Sequence, residues 1–188
     1  MHLFRLMILY MALALGANAA LADQSAIAGL RTGDMKKLNF HSEPRAASSQ
    51  DFVLADDAGT ATLAMYQGQY IVLNFWATWC APCRKEMPHL EALQRDFGGD
   101  AFQVVTLATG RNSPAGIKKF FAENGIDSLT RHQDPKQRVA REMAVLGLPV
   151  TVILNPEGEE IARLIGDADW NSPSARAIVA ALIAKADG

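Results

Sequence analysis

A mixed α/β sandwich is the fold class this sequence predicts, and three observations predict it. Two predominantly apolar runs, Ile71 to Trp76 and Phe102 to Ala108, have the make-up of strands covered on both faces. Stretches with apolar residues at helical spacing alternate with such runs. Near the end, Val150 to Leu154 and Glu160 to Ile165 flank Asn155-Pro156-Glu157-Gly158, the strongest hairpin signal in the chain. Helices between strands, followed by a hairpin and a last helix, assemble as a sheet with helical layers.

With 188 residues, 49% of them hydrophobic and 20% charged, the chain can bury one full core and is short for two. A formal net charge of -2 with no basic block argues against nucleic acid or a polybasic membrane surface as the main partner. Residues 1–22 read as a targeting segment: Arg5 is the positive flank, Leu6 to Ala17 the apolar stretch, and Ala20-Leu21-Ala22 a small-residue cleavage site ahead of Asp23. The rival reading is an uncleaved membrane anchor. It asks for about 18 or more uninterrupted apolar residues, and this stretch falls slightly short.

Residues 23–50 read as an extension ahead of the main domain, 51–188. Ile27, Leu30, Met35 and Leu38 fall roughly on one helical face, which predicts a short docked helix weakened by Gly29 and Gly33. His41 to Gln50 is polar, contains Pro44 and Ser48-Ser49, and reads as a connector. Phe52-Val53-Leu54 and Thr60 to Ala64, either side of Asp56-Asp57-Ala58-Gly59, predict two short strands and a turn. Met87, Leu90, Leu93 and Phe97 form one face of a helix ending at Gly98-Gly99, with Pro88 inside it as a source of a kink. Further helices are predicted over Pro114 to Asn124, with Ile117, Phe120 and Phe121 inward, and over Gln137 to Val145. The last runs from about Pro173 to Ala186, with Ser172 as N-cap.

Both cysteines of the chain lie in Trp79-Cys80-Ala81-Pro82-Cys83, directly after the first apolar strand and at the start of an amphipathic helix. The unpaired amides and the macrodipole of a helix N-terminus stabilise a thiolate, the attacking form in disulfide exchange. A structural disulfide is the bland alternative for an exported chain. A bridge across Ala81 and Pro82 closes a very small loop and removes little unfolded-chain entropy, so it makes a poor staple and a good switch.

The string from Val72 through Trp76-Ala77-Thr78-Trp79-Cys80-Ala81-Pro82-Cys83-Arg84-Lys85-Glu86-Met87-Pro88 resembles the thioredoxin superfamily, and within it the TlpA-like exported thiol-disulfide oxidoreductases. The resemblance covers roughly Phe52 to Ala186. It implies a thioredoxin fold, a three-layer α/β/α sandwich on a central mixed sheet, with an N-terminal extension and an inserted strand and helix between Phe102 and Leu146. It also implies a cis proline at Pro149 in Gly147-Leu148-Pro149, beside the dithiol. Two positions depart from the pattern: Asn74 stands where thioredoxins proper carry a buried aspartate, and Val150 follows the proline where relatives often have threonine.

On this reading Cys80 is the exposed nucleophile and Cys83 the resolving thiol. Glu86, one helical turn after Cys83, is the candidate proton-exchanging acid; its alternative is a solvent-facing helix charge. Trp79, Pro82, Leu148 and Pro149 are the candidate substrate-binding residues, with the Leu148 backbone offered to an extended client strand as in β-augmentation. Trp76 reads as core. No cofactor and no metal are expected, because His2 leaves with the targeting segment, His41 and His132 are remote from the dithiol in sequence, and His89 falls on the far side of its helix from Cys83.

The resemblance implies a periplasmic reductase of cysteine pairs in client proteins, recharged by a membrane thiol transporter. Its clients would belong to cytochrome oxidase copper-centre assembly or cytochrome c maturation, with a lean towards the former. A disulfide oxidase or isomerase remains open within the same chemistry. A copper chaperone using the same two soft thiolates is the alternative of another class.

Overall fold

The computed structural model describes residues 25–186, so the targeting segment read at residues 1–22 lies outside the described residues. Helical residues 25–29 (α1) and a 3₁₀ turn, Gly33–Lys37, lead into β1 (Asn39–Ala46), β2 (Phe52–Val53), β3 (Thr60–Ala61) and a second turn, Leu63–Tyr66. Then follow β4 (Tyr70–Trp76), α2 (Ala81–Phe97), β5 (Phe102–Thr109), α3 (Pro114–Glu123), β6 (His132–Asp134) and α4 (Arg138–Glu142). The chain closes with β7 (Val150–Leu154), β8 (Glu159–Ile165) and α5 (Pro173–Ala186). Together the eight strands among the described residues form one mixed sheet, in the order β1-β8-β7-β4-β5-β6-β2-β3.

Every residue of β4 is buried, because the strand is paired in parallel with β5 on one side and antiparallel with β7 on the other. Side chains alternate between faces along a strand. Val72 and Trp76 therefore join Met87, Leu90 and Leu93 of α2, Phe120 and Phe121 of α3 and Ile178 and Leu182 of α5 in one cluster. Ile71, Leu73 and Phe75 join the opposite cluster, with Phe52, Leu63, Tyr66 and, from α4, Val139 and Ala140. The sheet thus carries a thick helical layer on one face and a thin layer on the other. This is the thioredoxin fold that the resemblance implies.

Three segments depart from expectation. Residues 41–46 belong to β1, an edge strand on β8, and are not a connector. Their polarity reflects the solvent-facing side of an edge, and Pro44 falls in the register shift between Phe40 and Arg45, where no ladder donor is needed. The docked N-terminal helix is broken: Gly33 at φ +52° turns the chain, which buries Met35 and Leu38 and leaves Leu30 exposed. The Ser174 hydroxyl pins the break to α5, donating to Leu30 O (2.7 Å) and accepting from Thr32 N (3.0 Å). The helix expected over Gln137 to Val145 shortens to α4, because Gln137 (φ 56°) and Ala144 (φ 52°) leave helical geometry on either side.

Candidate active site

Trp76 ends β4, and residues 77–80 turn the chain into α2, with Cys80 N–H donating to Ala77 O at 3.1 Å. Cys80 is the N-cap of α2, and Pro82 occupies the first turn, where a missing backbone N–H is harmless. The Cys83 N–H donates to Cys80 Sγ at 3.3 Å, and the two sulfurs are bonded as a disulfide. Cys80 is 6% exposed and Cys83 0%. Cys80 is therefore less open than the resemblance implies, yet it holds the accessible edge of the pair. That amide and the helix end both favour negative charge on Cys80 sulfur once the bond is reduced.

Glu86 is not a solvent-facing charge: it is 1% exposed, on the side of α2 turned to the sheet. Asn74 alternates with Val72 and Trp76 on that face of β4, and its Nδ2 donates to Glu86 Oε1 (2.8 Å) and to Thr151 Oγ1 of β7 (2.9 Å). Ala168 N–H donates to Glu86 Oε2 at 3.2 Å. Burial outweighs these bonds and pushes the Glu86 carboxyl up to about 7.

The Leu148-Pro149 bond is cis, and Phe75 lies opposite Val150 in the β4–β7 ladder. This register sets Pro149 at the same end of the sheet as the turn into the dithiol. Leu148 packs against the cluster that contains Cys80 and Cys83, while Leu146 just before it is 99% exposed. Gly166 N–H donates to Pro149 O at 3.0 Å and ties the loop to the end of β8. Trp76 is fully buried, as expected for core, whereas Trp79 is 65% exposed.

Several partners of these residues carry no sequence signal. The Trp79 indole N–H donates to Arg111 O (3.1 Å), and Asn112 Oδ1 accepts from Thr78 N (2.8 Å) and Thr78 Oγ1 (2.9 Å). The dithiol turn is thus stapled to the loop after β5. Arg163 of β8 donates to Met143 O (2.7 Å) and to the buried Glu160 (2.7 Å), bracing the chain that leads to Leu146. His41 Nε2 lies 2.7 Å from Glu160 Oε1, and His132 Nε2 lies 2.8 Å from Tyr66 Oη. Both histidines lie within structural hydrogen-bond networks.

A disulfide bonded across the first turn of the helix that follows a buried central strand, at one sheet end with a cis-proline loop, defines a thiol-disulfide oxidoreductase of the thioredoxin superfamily. The chain belongs to the AhpC/TSA family, whose sequence profile matches residues 46–161. It is 30% identical over 121 residues to the thiol-disulfide oxidoreductase ResA of Bacillus subtilis (strain 168), a match spanning 64% of this chain and 66% of that relative. It is also 30% identical over 126 residues to ResA of Geobacillus kaustophilus (strain HTA426), across 64% of this chain and 71% of the relative. Among solved structures, a thiol:disulfide interchange protein DsbE from Chlorobium tepidum superposes with a TM-score of 0.60 at 26% identity, covering 73% of this chain and 97% of that one. These likenesses agree with the TlpA-like resemblance carried by residues 72–88.

Proposed function

We propose that this chain is an exported reductase of client disulfides, with residues 51–188 as the redox domain and 23–50 as an N-terminal extension whose described part adds β1 to the domain's sheet. The observation that carries the reading is the asymmetric pair at the start of α2, Cys80 at the surface edge and Cys83 fully enclosed. In the reduced protein, Cys80 thiolate attacks one sulfur of a client disulfide, forming a mixed disulfide and expelling the other client sulfur as a thiolate. Cys83 then gives its proton to Glu86 and attacks Cys80 sulfur. The Cys80–Cys83 bond forms, the second client sulfur leaves as a thiolate, and two electrons have passed to the client, whose thiolates take up protons.

Trp79, Pro82, Leu148 and Pro149 supply the docking surface around that exchange, with an extended client segment laid along the cis-proline loop. A membrane thiol transporter is the proposed source of electrons, and clients of cytochrome oxidase copper-centre assembly are favoured over those of cytochrome c maturation. Cys83→Ser should accumulate a client adduct on Cys80. Adducts on Cys83 in the Cys80→Ser protein, with none in Cys83→Ser, would reverse the two roles.

A further inference from the structure

Beside the dithiol turn, Trp79, Gly110, Arg111, Pro135 and Gln137 line a half-open cavity of about 500 Å³. We propose that it receives an acidic side chain of the client, close in sequence to the cysteine under attack, with Arg111 as its counter-ion and the Gln137 amide as a second donor. The proposal rests on the dithiol reading and adds a specificity to it.

The donor set points to an anion. Arg95, Arg131, Arg138, Arg163 and Arg176 each pair with a carboxylate; the Arg111 guanidinium, like those of Arg31, Arg45, Arg84 and Arg141, has none among the described residues, and Arg111 is the arginine that lines this cavity. Gln137 Oε1 faces Arg141 NH2 at 3.5 Å, and its Nε2 is turned towards Gly110, 2.9 Å from where a Cβ on that glycine would lie. No carboxylate is among the described residues that line the cavity. Asp134 is the nearest in sequence and is buried beneath α4, where its two oxygens accept the amides of Arg138 (2.8 Å) and Ala140 (2.9 Å).

The cavity is also held in place. Gly110 at φ +77° holds a backbone conformation that favours glycine, and the space a Cβ would take there is occupied by the Gln137 amide. Gly110 N and Gln137 N both donate to Asp134 O at 3.0 Å, fixing the Gln137 wall to the Gly110 wall. The Trp79 and Thr78 bonds to Arg111 O and Asn112 Oδ1 fix both to the residue preceding Cys80. A carboxylate one or two residues from a client cysteine falls within reach of this pocket when that cysteine meets Cys80. A guanidinium engages a carboxylate bidentately, which gives geometric selectivity besides charge.

The test compares three disulfide-bonded peptides that differ only in Glu, Gln or Lys two residues from the attacked cysteine, with the reduced protein as electron donor and the exchange rate as readout. Glu should exceed Gln by about fivefold at low salt, the scale of one exposed ion pair, with Lys slowest. Arg111→Ala should erase the ranking, bringing the Glu- and Lys-peptide rates to that of the Gln peptide in the same variant, and added salt should compress the ranking in the unaltered protein. Equal rates for the three peptides, or a ranking kept in Arg111→Ala, would overturn the pocket and leave the dithiol reading intact. No exchange with any peptide would overturn both.

Discussion

Asn74 Nδ2 donates to Glu86 Oε1 at 2.8 Å, joining the middle of the central strand to the buried face of the active-site helix. Asparagine stands where thioredoxins proper place an acid, and the acid appears instead three residues after Cys83, with Asn74 as its donor. The buried carboxyl stands on the helix rather than on the strand, and burial makes it titrate at about 7.

If Glu86 accepts the Cys83 proton, Glu86→Gln should slow resolution of the mixed disulfide by on the order of a hundredfold near pH 7, the low end for positioned proton transfer. Attack by Cys80 on the client should change much less. Rapid-mixing measurements that separate the two phases check this. Equal resolution rates in both proteins, with an unshifted Cys83 titration, would remove Glu86 from the mechanism.

Two buried groups oppose each other in the pH dependence of stability. Burial raises Glu86 from 4.5 to about 7, so between those values the native state keeps a proton that the unfolded chain has lost, and stability falls with rising pH by about 3 kcal/mol in all. Burial lowers His132 from 6.5 to about 4, so over that range the unfolded chain binds a proton the native state refuses, and stability rises with pH by about 3 kcal/mol. From pH 4.5 to 6.5 the two slopes offset each other. Urea midpoints across this window should rise with pH in Glu86→Gln and fall with pH in His132→Gln. Parallel profiles in the two variants would refute the pairing. Carboxyls held low, Asp34 chiefly by the Asp169 amide and Glu142 chiefly by the Ser48 hydroxyl, contribute above 4.5 and lose that contribution below this window.

Much of this architecture was legible in the chain because its signals are local. The apolar runs gave β4 and β5, Asn155 to Gly158 gave the β7–β8 hairpin, and the string around Cys80 gave the helix N-terminus. What escaped depends on distant partners. An edge strand such as β1 is polar on its open side, so residues 41–46 read as connector until β8 is beside them. Glu86 next to Arg84 and Lys85 was as readable as a surface charge as a buried acid, since its fate depends on Asn74 and Ala168, remote in sequence. The staple from Trp79 to Arg111 joins two loops and leaves no periodicity to find.

Arg163 braces the segment before the cis-proline loop through Met143 O, and it shares the buried Glu160 with His41. Arg163→Met should cost about 3 to 5 kcal/mol, because it leaves a buried carboxylate short of its strongest partner. The double variant with Glu160→Gln should recover part of the loss. Denaturant unfolding measures both; a single-variant loss under about 1 kcal/mol would assign the pair to the surface class.

Trp79, exposed beside Cys80, should matter for docking more than for folding. Trp79→Ala is expected to change stability by no more than about 0.5 kcal/mol, the usual range at exposed positions. Exchange with a disulfide-bonded protein should slow several-fold, while reduction of a small uncharged aromatic disulfide should hold its rate. Equal slowing of both substrates would instead place Trp79 in the chemistry of the dithiol.

The central claim, a reducing dithiol at Cys80 and Cys83, is tested most directly by an equilibrium redox titration followed through tryptophan fluorescence and thiol alkylation. A single two-electron transition is expected, with a midpoint near the thioredoxin value of about -270 mV. A midpoint near the DsbA value of about -120 mV would make the protein a disulfide donor and contradict the claim.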